Sequence, residues 1–221
     1  MALEAVVFDW GGTLTPWHSF DPRDGWLAAL ADDDEREARA DRLLAAELQV
    51  WARSRDEQRS GTLADVFAAA DVRHTDEMLA AFSRWWEPHT HLDPQAPALF
   101  DALHERGLKI GVLSNTIWTR AEHERIFARD GVLESIDGAV YTSEIPWTKP
   151  HPEAFRAALD AVGVTDPAAA VFVGDRPFDD IHGAKSAGLH AVLIPHSDIP
   201  DVQKGPVEGE ADAVIDELAD L

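Results

Sequence analysis

The 221-residue chain contains no cysteine. That excludes disulfide cross-links and thiolate metal sites, and it fits a reducing, cytoplasmic setting. No apolar run approaches the roughly 18 residues needed to span a bilayer. No basic region precedes the short first apolar run, so a secretory leader is not expected. Bases are scarce as well: 19 Lys and Arg stand against 41 Asp and Glu, a formal charge of −22. Such a surface repels nucleic acid and anionic membranes, and neither is expected as a partner. Only four of the bases are lysines, Lys109, Lys149, Lys185 and Lys204, so residues 15–92 hold no lysine at all. What remains, with 45% hydrophobic residues, is enough for one good core, or for one domain with a sizeable insertion.

The most informative stretch is Ala5-Val6-Val7-Phe8-Asp9-Trp10-Gly11-Gly12-Thr13-Leu14. Four apolar residues running into an acid and two glycines read as a buried parallel strand followed by a sharp turn. Asp9 then stands at the carboxyl end of the strand, where open α/β sheets place their ligands. A carboxylate so placed can ligate a metal or act as a nucleophile.

Strand one is expected over Leu3 to Asp9, and no strand-like run follows until about residue 92. Asp21-Pro22 opens a helix. A long amphipathic helix is expected from Asp33 to Gln58, with further starts at Thr62 and Thr75 and a stop at Pro88. From Asp93 an α/β rhythm returns. A helix from Pro94 stops at Gly107, strand Leu108 to Leu113 runs into Ser114-Asn115, and a helix covers Thr119 to Arg129. Strand Gly138 to Tyr141 precedes Thr148-Lys149-Pro150 in a loop, and helix His151 to Val162 is closed by Gly163. Strand Val171 to Val173 ends in Gly174-Asp175, a short helix spans Ile181 to Ala187, and strand His190 to Ile194 follows. Pro195 to Glu210 reads as a polar loop, and the tail holds a last strand near Ala213 to Ile215 and a short helix. The expected fold is α/β: a doubly wound, Rossmann-like parallel sheet built from 1–15 and 93–221, with a small all-helical cap domain from 16–92.

Polar groups gather at four strand ends in chain order: Asp9, Ser114, Lys149, and Asp175 with Asp180. Together they suit phosphoryl transfer. Carboxylates hold Mg²⁺ through oxygen, an ammonium neutralises charge on nucleophile and phosphate, and a hydroxyl binds phosphate oxygens.

At these residues the chain resembles the haloacid dehalogenase-like hydrolases. Val7 to Leu14 resembles their first motif, with its nucleophilic aspartate. Val112-Leu113-Ser114-Asn115 resembles the second, Lys149-Pro150-His151-Pro152-Glu153-Ala154-Phe155 the third, and Val173-Gly174-Asp175-Arg176-Pro177-Phe178-Asp179-Asp180-Ile181 the metal-binding fourth. The resemblance implies an Mg²⁺-dependent phosphatase acting on a small-molecule phosphomonoester. Asp9, Ser114 and Lys149 would be catalytic; Asp9, the Gly11 carbonyl, Asp175 and Asp180 would serve the metal. Asp180 is preferred to Asp179 because Ile181 after it fits the family spacing. Ser114, Asn115, Lys149, Trp10 and Arg176 are the expected substrate contacts.

One departure stands out. Most phosphatases of the family carry a second aspartate two residues after the nucleophile, as general acid and base, and here that position is Gly11. Loss of such a group costs typically about 10²–10⁴-fold in rate. His18, His74, His89 and His91 are candidate replacements, since histidine as a residue type titrates near neutrality. Rival readings are a dehalogenase-like or phosphonatase-like hydrolase and a non-catalytic binding or regulatory protein. A Schiff-base mechanism is disfavoured by the lysine-free insertion.

Overall fold

The computed structural model describes residues 2–31, 33–195, 205–206 and 209–221. Six parallel strands form one sheet in the order β3-β2-β1-β4-β5-β6: β1 Ala5–Phe8, β2 Lys109–Ser114, β3 Gly138–Tyr141, β4 Ala170–Gly174, β5 His190–Leu193 and β6 Ala213–Val214. The chain starts in the middle, winds outward through β2 and β3, returns to the other side of β1 as β4, and continues to β6. The order of winding therefore reverses between β1 and β4, the place where such sheets open a crevice at their carboxyl ends.

Alternation along β1 divides the core in two. Val6 and Phe8 face one layer, with Leu99, Phe100 and Leu103 of α5 (Ala96–Glu105) and Ile126 and Phe127 of α6 (Arg120–Arg129). Ala5 and Val7 face the other, with Phe155, Leu159 and Val162 of α7 (Pro152–Val162). Both faces of the central strand are thus covered, which is why its sequence is continuously apolar rather than alternating.

Between β1 and α5 come four helices: α1 Pro22–Ala29, α2 Arg36–Glu57, α3 Leu63–Ala69 and α4 Asp76–Trp86. They pack around their own apolar cluster of Trp26, Leu30, Leu43, Val50, Val66, Phe67 and Phe82, and Ile117 from the loop after β2 is buried in the same cluster. The helix starts follow local chemistry. Asp21 accepts from the Arg23 N–H with Pro22 in the first turn, Thr62 and Asp65 form a reciprocal capping box, and Thr75 accepts from the Met78 N–H. No helix among the described residues is long and apolar enough to cross a membrane.

Two expectations are corrected. The short helix expected at Ile181 begins earlier, as a π-helical turn over Pro177–His182, and becomes α-helical (α8) only at Gly183–Ser186. The cause is that the Arg176 carbonyl accepts from both Asp180 N–H (3.0 Å) and Ile181 N–H (3.2 Å), which widens the turn. The closing helix is a single 3₁₀ turn, Leu218–Asp220. Most of the polar loop read at Pro195 to Glu210, with Lys204, lies outside the described residues.

Candidate active site

Register brings the strand-end residues to one edge. Phe8 is level with Val112 of β2 and Val173 of β4, so Asp9, Ser114 and Asp175 all emerge at the carboxyl edge of neighbouring strands. The Asp9 N–H donates to the Val173 carbonyl (2.9 Å), fixing the acid at the end of the sheet. The chain then turns tightly. The Trp10 carbonyl accepts from the N–H groups of Leu14 and Thr15 and from the Thr15 hydroxyl. Gly12 sits at φ +92°, where only glycine is relaxed.

Lys149 lies at the centre. Its ammonium donates to Asp9 Oδ1 (2.5 Å) and to Asp180 Oδ1 (2.7 Å), and it is 2% exposed. Burial alone would lower the lysine's pKa, but the charges of Asp180 and Asp9 outweigh it and hold it above its ordinary value. Burial pushes the Asp180 carboxyl up against the pull of Lys149, and it pushes Asp179 up to about 6. Asp180, fully buried, is bonded at both oxygens: Oδ2 accepts from the Arg176 N–H (2.9 Å). Asp179 is only partly buried.

Asp9, Asp175 and Asp180 each offer a carboxylate oxygen within 4.8 Å of the others, and all three are buried. Three hard oxygen donors at this spacing suit a divalent cation such as Mg²⁺ or Ca²⁺ and do not suit a soft metal. Gly174 makes the approach possible: a Cβ there would lie 2.3 Å from Asp180 Oδ2. Gly11 is different, since a Cβ would meet nothing within 4 Å. The position at which the resemblance leads one to expect a second aspartate is open space here.

Asn115 clamps the Lys149 loop: its Oδ1 accepts from the Lys149 N–H (2.8 Å) and its Nδ2 donates to the Lys149 carbonyl (3.0 Å). Its amide holds both backbone groups of Lys149. Trp10, 9% exposed, packs edge-on against Trp118 and His123, so its ring is part of the core. Arg176 lies over the ring of Trp17 (5.0 Å to the centroid), which links the loop after β4 to the segment entering α1.

Of the four histidines, His74 packs on Phe67 and His91 stands 3.5 Å from Asp130. His18 and His89 share a hydrogen bond between their Nδ1 atoms (2.9 Å), tying together the two segments that join the helical insertion to the sheet. Burial and the neighbouring His18 lower the pKa of His89.

Two buried groups carry no sequence signal. Glu47 of α2 accepts from the indole N–H groups of Trp26 (2.8 Å) and Trp51 (3.2 Å) inside the helical cluster, and burial raises its pKa. His123 of α6 is stacked on Tyr141 and fully buried. Neither belongs to a motif; only a helical periodicity count placing each on a buried face would have flagged them.

The profile of the haloacid dehalogenase-like hydrolases matches residues 3–188. A phosphoglycolate phosphatase of Rhodospirillum rubrum is 30% identical over 233 residues, covering 99% of this chain and 89% of the relative. The chain is also 32% identical over 130 residues to a glyceraldehyde 3-phosphate phosphatase of Methanothermobacter thermautotrophicus, spanning 58% of this chain but only 56% of that relative. Among solved structures, a HAD phosphatase from Thermococcus onnurineus superposes with a TM-score of 0.72 at 22% identity, covering 99% of this chain and 95% of its own. The L-2-haloacid dehalogenase of Xanthobacter autotrophicus superposes with 0.66 at 20% identity, covering 99% and 96%. These two likenesses speak for the fold. The profile and the near-full-length relative carry the conclusion that the chain belongs to the haloacid dehalogenase-like hydrolases.

Proposed function

We propose that the protein is a Mg²⁺-dependent phosphatase of a small-molecule phosphomonoester, working through an aspartyl-phosphate on Asp9. One observation carries the reading: a buried ammonium bonded to two acids, with a third acid close enough to share a cation with them. Asp9, Asp175 and the Gly11 carbonyl would hold Mg²⁺, which supplies positive charge to the phosphoryl oxygens. Asp180, with its oxygens also engaged by Lys149 and the Arg176 N–H, would complete the acid trio and support the metal shell. Asp9 Oδ attacks phosphorus as the bond to the leaving oxygen breaks. Lys149 and the Ser114 hydroxyl balance the charge on the phosphoryl group. Water then cleaves the acyl phosphate and frees Asp9. The four-helix insertion serves as a cap that excludes bulk water.

The similarity to phosphoglycolate and glyceraldehyde 3-phosphate phosphatases supports a small phosphorylated acid or aldehyde as the class to try first. The test is a panel of phosphate esters with Mg²⁺, run beside Asp9→Asn. Turnover by the native chain that vanishes with Asp9→Asn and with chelator is expected. Release of halide from 2-haloacids without metal, or no turnover of any ester, would overturn the reading.

A further inference from the structure

The groups just described are almost sealed: Asp9 is 5% exposed, and Ser114, Lys149 and Asp175 are 2% exposed. Burial this deep leaves a substrate no room, so a neighbouring segment must shift to admit one. One set of contacts from the helical insertion converges on a short segment, the residues leading into Lys149.

The Thr148 N–H donates to the Gln58 carbonyl (3.1 Å). The hydroxyls of Ser54 and Thr148 are bonded (3.0 Å). The Ser60 N–H donates to the Pro146 carbonyl (3.1 Å), and its hydroxyl donates to the Ile145 carbonyl. Arg59 pairs with Trp147 in an antiparallel bridge, and its guanidinium covers the indole. Gln58 adopts a left-handed conformation (φ +55°) as α2 ends, turning the chain so that 58–60 runs beside 145–148. On the sheet side, Asn115 bonds both the N–H and the carbonyl of Lys149.

We propose that Ser54 and Ser60 are positioning residues: closure of the helical insertion places Lys149 by gripping the segment just before it. The lysine backbone sits between a fixed clamp on the sheet, Asn115, and a removable one on the insertion. With the insertion lifted, Thr148 loses its N–H and hydroxyl partners, and the carbonyls of Ile145 and Pro146 lose theirs. The ammonium is then free to drift from Asp9 and Asp180. Full charge compensation at the nucleophile is reached only in the closed state, after substrate has entered. The proposal rests on the phosphatase reading for its kinetic consequence, but the mechanical claim stands apart from it.

The test compares Ser54→Ala/Ser60→Ala with Ser83→Ala. Ser83 bonds Glu122 and Arg125, a contact between the insertion and α6 that does not touch the lysine loop. Amine acylation, mapped by peptide mass, reads Lys149 against exposed Lys185 within the same molecule. The strap variant is expected to label Lys149 about ten-fold faster than the native chain at an unchanged Lys185 rate, the worth of one to two neutral hydrogen bonds. Ser83→Ala and the hydroxyl-keeping Ser54→Thr are expected to label like the native chain. In turnover, kcat should fall about ten-fold in the strap variant with KM within about two-fold, since a lysine misplaced after binding affects the chemical step. Unchanged Lys149 labelling in the strap variant, or an equal rise in Ser83→Ala, would overturn the proposal. If no phosphate ester is turned over by any form while the labelling pattern holds, the phosphatase reading falls and the strap stands.

Discussion

Lys149→Met isolates the charge at the centre of the site. Methionine matches the length of lysine and keeps an apolar contact with Phe172, whose ring lies 5.1 Å from the ammonium, so packing changes little. What disappears is the cation between Asp9 and Asp180, whose side chains are 7% and 0% exposed. Two carboxylates at about 5 Å and an effective dielectric of about 20 repel by roughly 3 kcal/mol. Removing one partner of a buried ion pair independently costs about 3–5 kcal/mol. The two estimates agree, and for a chain of this size they correspond to a loss of roughly 10 °C in Tm. The penalty has a ceiling, because one carboxyl can take up a proton. In the variant that raises the folded-state pKa of an acid above its unfolded value, so stability falls as pH rises and the deficit should be larger at pH 8 than at pH 5. A divalent cation on the acid trio should restore part of the deficit by mass action. Urea unfolding followed by tryptophan fluorescence, in chelator and in millimolar Mg²⁺ at both pH values, reads all three effects. A loss below about 1 kcal/mol in chelator, with no response to Mg²⁺, would refute the reasoning.

Gly11→Asp fills open space beside the nucleophile; if the chain is a phosphatase limited by the missing acid, turnover should rise at least about ten-fold, measured with the best ester of the panel. Gly174→Ala would drive a Cβ into the Asp180 carboxylate, which Lys149 and the Arg176 N–H hold in place. A loss of about 1–3 kcal/mol is expected in chemical denaturation, with weaker Mg²⁺ binding by calorimetry. For His123, burial lowers the pKa from 6.5 to about 4, so the folded state favours the neutral ring, and its contribution is complete above pH 6.5 and lost as pH falls toward 4. Between pH 7 and pH 5 this amounts to about 2 kcal/mol; His123→Phe, which keeps the stack on Tyr141, should flatten the acid limb of urea stability by that amount, and an unchanged limb would contradict it.

What the sequence disclosed and what it withheld divide along physical lines. Local signals were legible because they act over a few residues. The caps at Asp21, Thr62 and Thr75 and the left-handed glycines at Gly107 and Gly163 stand where side-chain chemistry called for them. The strand ends were legible for a different reason: a parallel sheet has one carboxyl edge, so acids and a lysine that each follow an apolar run must meet there. Lys149 and Asp9 are 140 positions apart and still in contact. The strap had no such rule behind it. Ser54 and Thr148 are 94 positions apart, both are common surface-type residues, and neither periodicity nor motif marks them. Gln58 ends α2 in a left-handed conformation without the glycine that usually announces one. The π-helical turn at Pro177 was hidden for a similar reason, since it depends on one carbonyl accepting two N–H groups.

These hidden features lie where the chain departs from local preference. Gln58 bends the insertion onto the lysine loop, and the turn after Arg176 carries Asp180 against Gly174 and within reach of Lys149. The residues whose types announce the chemistry are therefore held in register by residues whose types announce nothing. Exchanging the motifs alone into another α/β sheet would bring the acids to the right edge without the geometry that makes Lys149 bridge two of them.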